Sequence, residues 1–174
     1  MVSQKLGYIF TEEDVTIIIH CCNLYHRMGS GIAGVIAKKC PEAVVADQAT
    51  VKGDARKLGS FSAAKSEIEG RPVTIVNLYG QMGIGCDGDP LNRNAQYDSL
   101  YNGLLKFKRS LEKQITRKKD NGEDPKVVVG IPYGLASDLA GGSWTVVRAI
   151  IDSIFNDASF DVVIVKLPTA RELK

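Results

Sequence analysis

No apolar run in this 174-residue chain approaches the ~18 residues of a membrane span, and its N-terminus has no apolar signal core. Both absences lead us to expect a cytosolic protein. Charge of one sign is also missing: 22 Lys and Arg stand against 20 Asp and Glu, a net +2 that does not by itself imply a nucleic-acid or membrane partner. Cysteine is sparse, and Cys21, Cys22, Cys40 and Cys86 contain no pair at metal-ligand spacing. Adjacent Cys21 and Cys22 point to opposite faces if they lie on a strand. They read as small buried hydrophobes; if one cysteine is catalytic, Cys86 in its glycine-rich loop is the candidate. There are two histidines and one tryptophan, and neither an internal repeat nor a low-complexity tract.

What the chain does have is 44% apolar and 24% charged residues, the balance of a globular protein, at a length suited to one domain over residues 1–174. Leu6–Phe10 reads as an edge strand. The β-branched run Val15–Cys22 reads as a strand buried on both faces. Helical spacing runs from about Gly31 to Lys39 and stops before Pro41, which opens a second helix reaching about Val51. Ser60–Ile68 and Pro72–Tyr79 form a hairpin at Glu69-Gly70-Arg71. Gln81–Asn94 is a loop long enough to be functional. An amphipathic helix follows over about Ala95–Lys118, then a strand at Lys126–Ile131, a helix at about Gly142–Phe155 and a last strand at Asp161–Lys166. The order β-β-α-α-β-β-α-β-α-β predicts an α/β fold, a mixed sheet covered on both faces. The basic run Lys106, Lys108, Arg109, Lys113, Arg117, Lys118 and Lys119 on the long helix is a solvated face or, as the alternative, a nucleic-acid surface.

Two glycine-rich stretches each follow a strand and precede a helix. Such a loop lets backbone N–H groups approach an anion at the positive end of a helix, and two of them suggest a ligand with two phosphates. The first, Gly29-x-Gly31-x-x-Gly34, matches the dinucleotide fingerprint by letter. That fingerprint needs its first glycine directly after the strand and an acidic residue at the end of the next strand. Here Asn23–Met28 intervene and Asp47 falls in a helix, so an NAD(P)-dependent oxidoreductase is the weaker reading. Asn23 can exchange hydrogen bonds with a sugar hydroxyl or simply hold the loop. His26 is a general acid or base, or only a hydrogen-bonding residue, whereas His20 inside the strand reads as a core histidine. In the second stretch, Ala140-Gly141-Gly142 leaves room for a backbone nest around a second phosphate, or for close helix–sheet packing. Trp144 reads as an anchor beneath this loop. Asp138 is its single carboxylate, a solvated turn residue or one that positions water.

The stretch CNLYHRMGSGIAGVIAKKCP ending at Pro41, with IPYGLASDLAGGSW at 131–144, resembles the macro domain family. Pro41-Glu42-Ala43 with Ala46-Asp47, Lys57-Leu58-Gly59-Ser60 and Val76-Asn77-Leu78-Tyr79-Gly80-Gln81 are similar to its short stand-alone bacterial and phage branch. The resemblance covers about Val15–Val165. It implies a three-layer α/β/α sandwich with a mixed central sheet that binds ADP-ribose or ADP-ribose 1''-phosphate. It further implies either hydrolysis of the distal-ribose substituent, the 1''-phosphate or the ester of an ADP-ribosylated protein, or a non-catalytic reader. No cofactor, metal or membrane partner is implied. By the resemblance, Asn23 binds the distal ribose. Met28, Gly29, Ser30, Gly31, Ile32 and Ala33 wrap the ribose and diphosphate, and Gly134, Leu135, Ala136, Ser137, Asp138, Leu139, Ala140 and Gly141 form the second phosphate loop. Asn23, His26 and Asp138 are the expected catalytic residues. The chain departs from many relatives in lacking a Gly-Asp pair after the first strand, where Phe10-Thr11-Glu12-Glu13-Asp14 stands. Asp138 and Ser143 likewise replace a glycine and an acidic residue of the branch's usual second loop.

Overall fold

The β-branched segment at residues 17–22 is the centre of the architecture. In the computed structural model, which describes residues 1–85, 92–170 and 172, it is strand β2 (Ile17–Cys22). The remaining strands are β1 (Val2–Leu6), β3 (Phe61–Ile68), β4 (Arg71–Tyr79), β5 (Val128–Pro132) and β6 (Asp161–Lys166). The helices are α1 (Gly31–Lys39), α2 (Pro41–Gln48), α3 (Tyr97–Asp120) and α4 (Trp144–Phe155), with a short 3-10 turn at Ala55–Lys57. The sheet order is β1-β6-β5-β2-β4-β3, parallel throughout except for the hairpin partner β3. Element order therefore follows the sequence reading, and the sheet is mixed as expected.

Strand alternation divides the core in two. Ile17 and Ile19 of β2, with Val76, Leu78, Val129 and Ile131, face the apolar stripes of α3 and α4, including Leu100, Leu104, Phe107, Val147 and Ile151. Ile18, with Ile75, Val128 and Val163, faces Ile36 of α1 and Ala43 of α2. The central strands β2, β4, β5 and β6 are thus covered on both faces, and burial removes these side chains from water at roughly 25 cal/mol per Å² of apolar surface. The hairpin turns through Glu69 and Gly70, at φ 52° and 80°, so Arg71 belongs to β4 and not to the turn.

The first strand differs from the sequence expectation. It runs over Val2–Leu6 and pairs with β6, while the apolar Ile9 and Phe10 lie in the following turn. Both are buried against the α1–α2 side of the sheet, and the Arg71 guanidinium donates to the carbonyl oxygens of Val15 and Phe10. The run Leu6–Phe10 marks burial, not pairing. Helix α2 also ends earlier than expected, at Gln48. Among the described residues, no helix is long and apolar enough to cross a membrane.

Candidate functional site

Neighbouring parallel strands β2 and β5 send their chains away from each other. From β2 the chain moves through α1 and α2 towards β3 and β4; from β5 it moves through α4 to β6 on the other side. Loops leaving adjacent strand ends in opposite directions open a crevice at the carboxyl edge of the sheet, the place where α/β sheets hold ligands. Both glycine loops border it. They come close there: a Cβ built on Gly31 would lie 3.7 Å from Cδ1 of Leu139.

The first loop is shaped by Asn23, which is 5% exposed. Its Oδ1 accepts from the N–H of Tyr25 at 2.9 Å and of Arg27 at 3.3 Å, while Nδ2 donates to the carbonyl of Arg27 at 2.7 Å. One Nδ2 hydrogen is left for another acceptor. Met28 is buried in the core beside α1, so its side chain pins the loop instead of lining the crevice. Ser30 is the N-cap of α1 but makes no side-chain cap bond, so the N–H groups of Gly31, Ile32 and Ala33 have no intrahelical acceptor. The glycines serve different ends. A Cβ on Gly34 would press at 3.2 Å on the carbonyl of Gly29, whereas a Cβ on Gly29 would meet nothing within 4 Å.

His26 sits in the left-handed region at φ 58°, and its Nε2 lies 3.1 Å from Oγ1 of Thr50. Hydrogen-bond accounting fixes its tautomer. The single proton of Thr50 Oγ1 goes to the carbonyl of Asp47 at 2.6 Å, and the same oxygen accepts from Nζ of Lys57 at 2.8 Å. Nε2 of His26 must therefore donate, which leaves Nδ1 as the ring's acceptor. Lys57, 8% exposed, also donates to the carbonyl of Leu24 at 3.3 Å and lies 4.5 Å from the Tyr79 ring centroid. Burial pushes its ammonium below the ordinary lysine value, an effect opposed by Asp47.

Beneath the loop runs a buried polar chain. Tyr79 Oη donates to Asp47 Oδ1 at 2.9 Å and lies 2.9 Å from the Ser62 hydroxyl. Asn77 Nδ2 donates to Ser62 Oγ and to the carbonyl of Ala43. His20 Nε2 donates to Asn77 Oδ1 at 2.7 Å. Fully buried His20 is a core histidine, as read from the sequence, and desolvation lowers its pKa to about 4. Burial likewise raises Cys21 to about 12 and pushes the Cys22 thiol well above the ordinary range, the reverse of what a nucleophilic cysteine needs. Cys86 lies outside the described residues.

In the second loop three residues have positive φ: Gly134 at 78°, Ala136 at 56° and Gly141 at 72°. With His26, Ala136 puts a strained non-glycine residue in each loop, a recurrent feature of binding sites. Bonds from Ser137 N to Gly134 O, Gly141 N to Asp138 O and Gly142 N to Ala136 O fold the loop on itself. Ala95 N donates to Ala140 O at 2.9 Å and Ser143 N to the Tyr97 hydroxyl at 2.8 Å, which fasten it to the start of α3. Leu135 and Ala140 are buried anchors, and the N–H groups of Ala136 and Leu139 make no hydrogen bond to the described residues. The side chain of Leu139, 53% exposed, is the one that reaches the first loop. Asp138 is exposed, and its carboxylate leans over Gly134, 3.7 Å from where a Cβ would stand. Half-buried Trp144 packs on the core and on Tyr133, ring centroids 4.7 Å apart, and so anchors the loop's exit.

Two other expectations meet the structure here. Asp47 is buried in α2 under the Tyr79 hydroxyl and not at a strand end, so the dinucleotide fingerprint lacks its acidic partner. Lys108 does not share the exposed basic face of α3: it is 8% exposed and pairs with Asp157 and Glu112. Sequence reasoning passed over Thr50 and Lys57 as holders of the loop. It also missed a groove of about 520 Å³ lined by Tyr25, Arg27, Lys52, Gly83 and Ile84. The signal for that groove was the polar interruption at residues 24–27 together with the long loop after β4.

Solved structures superpose over nearly the whole chain. A protein of unknown function from Bacteroides thetaiotaomicron matches with TM-score 0.72 and 21% identity, over 96% of this chain and 98% of its own. The macrodomain of Mycobacterium tuberculosis DarG matches with TM-score 0.69 and 18% identity, over 97% and 99%. The fold is that of a macro domain. Thermosipho africanus DarTG, solved in complex with ADP-ribose, matches this macro domain with TM-score 0.65 and 17% identity, over 94% of this chain and 41% of its own. By sequence, the chain is 30% identical over 149 residues to the uncharacterized 17.5 kDa protein of the tk-vs intergenic region of Enterobacteria phage T4. The match covers 85% of this chain and 84% of the phage protein, and the two belong to one family. No family model matches the chain.

Proposed function

We propose that this macro domain binds an ADP-ribose-type ligand in the crevice between its two glycine loops and hydrolyses the substituent on the distal ribose. The observation that carries the reading is the close approach of the loops at Gly31 and Leu139, each loop contributing N–H groups that the described residues leave unbonded. Two sets of free amides on one crevice suit two phosphates of a diphosphate. Gly29 adds to this, because its lack of a side chain leaves open space which the fold does not fill. The complex of Thermosipho africanus DarTG with ADP-ribose supports the ligand class.

Hydrolysis needs a water, a group to take its proton and a donor for the leaving oxygen. The loops would hold the diphosphate and so orient the ribose, which supplies much of the rate through positioning. Asn23 uses its remaining Nδ2 hydrogen on a ribose hydroxyl. His26 takes the water's proton at Nδ1, the ring nitrogen that Thr50 leaves available, and that proton is returned to the leaving oxygen as the bond to it breaks, with Asp138 as the alternative carrier. The substrate is ADP-ribose 1''-phosphate or an ADP-ribosyl ester on a protein. The reading carries a cytoplasmic setting, in keeping with the free thiols of Cys21, Cys22 and Cys40.

A non-catalytic reader is the second reading, and one observation favours it. The polar groups of Asn23 and His26 are largely engaged in shaping their own loop. Phosphate release from ADP-ribose 1''-phosphate by the wild type and by Asn23→Ala tests the choice. Release by the wild type with a large loss in the variant supports the hydrolase; no release, with ADP-ribose still bound, supports the reader.

A further inference from the structure

The groove at Tyr25, Arg27, Lys52, Gly83 and Ile84 lies outside the two glycine loops. Three separate segments build it: the chain after β2, the turn after α2 and the loop after β4. Their backbones are tied together, since Leu24 N donates to Met82 O at 3.3 Å and Gly53 N to Leu24 O at 2.8 Å. Asn23 holds the first segment in place through its bonds to Tyr25 and Arg27. The groove is therefore joined to the residue that would hold the distal ribose.

Its chemistry is distinctive. Arg27 and Lys52 are exposed cations, and among the described residues neither makes an ion pair or a side-chain hydrogen bond. Beside them stand exposed apolar side chains: Tyr25 is 46% exposed and Ile84 49%. Large apolar side chains gathered on one surface mark an interaction site more often than chance exposure does. A bare phosphate would use the cations and leave the apolar rim idle. A polypeptide carrying carboxylates uses both.

We infer that this groove is an acceptor subsite, which takes an acidic polypeptide segment flanking the residue that bears ADP-ribose. The inference rests on the reading above and names the partner chemistry of that same site. Arg27 and Lys52 then act as specificity determinants: they meet carboxylates next to the modified residue, while Tyr25 and Ile84 cover the peptide's apolar atoms. A nucleic-acid strand is the competing occupant, since an aromatic ring with cations can also hold a base and its phosphate.

The test is a calorimetric titration with four ligands: free ADP-ribose, one ADP-ribosylated peptide with an acidic flank, one with a neutral flank, and an ADP-ribosylated single-stranded oligonucleotide. The acidic peptide should bind roughly tenfold more tightly than the neutral one, the scale of two exposed charge pairs. That ratio should shrink on raising the salt concentration and fall close to one in the double variant Arg27→Gln/Lys52→Gln. The ratio within each protein is the readout, so a general loss of affinity in the variant does not mimic the result. Equal binding of the two peptides by the wild type, or tightest binding of the oligonucleotide, would overturn the inference. If free ADP-ribose itself fails to bind, the functional reading falls; if it binds and the flanks make no difference, only the acceptor subsite falls.

Discussion

Replacing Gly29 by alanine separates what the fold needs from what a ligand needs. The backbone of Gly29 is not in the left-handed region, and the added Cβ meets nothing within 4 Å. The folded state therefore accepts the methyl group without strain, while the unfolded chain loses freedom. Stability should stay level or rise by about 0.4–1 kcal/mol. Ligand binding should move the other way. If a phosphate approaches the loop on its open side, the methyl group occupies that approach and a charge-assisted hydrogen bond worth about 1.5–3 kcal/mol is lost. That corresponds to a fall in ADP-ribose affinity of roughly 10- to 100-fold. Urea unfolding reads the first quantity and calorimetric titration the second. An unchanged affinity would refute the claim that Gly29 is kept free for a ligand, and a large loss of stability would refute the claim that its surroundings are open.

Gly142→Ala should behave in the opposite way, because its Cβ would overlap the carbonyl oxygen of Ala136 and crowd Ala95. Overpacking and the strained bond from Gly142 N should cost about 2–4 kcal/mol in urea unfolding, with weaker ligand binding as a consequence. Tyr79→Phe removes the hydroxyl that donates to Asp47, whose side chain is 1% exposed, and should cost about 1–3 kcal/mol in the same assay. His20 supplies a pH signature. Its folded pKa of about 4 lies below the ordinary histidine value of 6.5, so the unfolded chain binds the extra proton first. The stability of the wild type should be complete above pH 6.5, fall by on the order of 3 kcal/mol as the pH drops towards 4, and then level off with respect to this group. A His20→Gln variant should lack that share of the slope; identical slopes would contradict the burial of a neutral imidazole.

Much of the architecture was legible because long elements carry strong periodicity. The run Val15–Cys22 announced a strand buried on both faces, and the spacing of Leu100, Leu104, Phe107, Leu111 and Ile115 announced α3. The edge strand was not legible in the same way. Val2–Leu6 has a single sheet neighbour and three polar residues at its centre, Ser3, Gln4 and Lys5, whereas Ile9 and Phe10 are apolar since they plug the sheet from a turn. Apolar character reports burial; pairing has to be inferred separately. Lys108 shows the same limit: it occupies a core-facing position of α3, one turn after Leu104, and is buried because Asp157 from beyond α4 meets its ammonium.

At the site, the glycine loops and Asn23 stood out in the sequence, and the crevice brings both loops together. The groups that fix their shape did not stand out. Lys57 acts on Leu24 over 33 positions, and His20 on Asn77 over 57. Such pairs exist only after α2 and the β3–β4 hairpin have packed beside β2. Local spacing carries no trace of them.

Calorimetric titration of the protein with ADP-ribose tests the central claim most directly. The account predicts saturable binding at one site per chain, weakened in Gly29→Ala without loss of stability. Absence of any binding heat at millimolar ADP-ribose, with the protein folded, would contradict it.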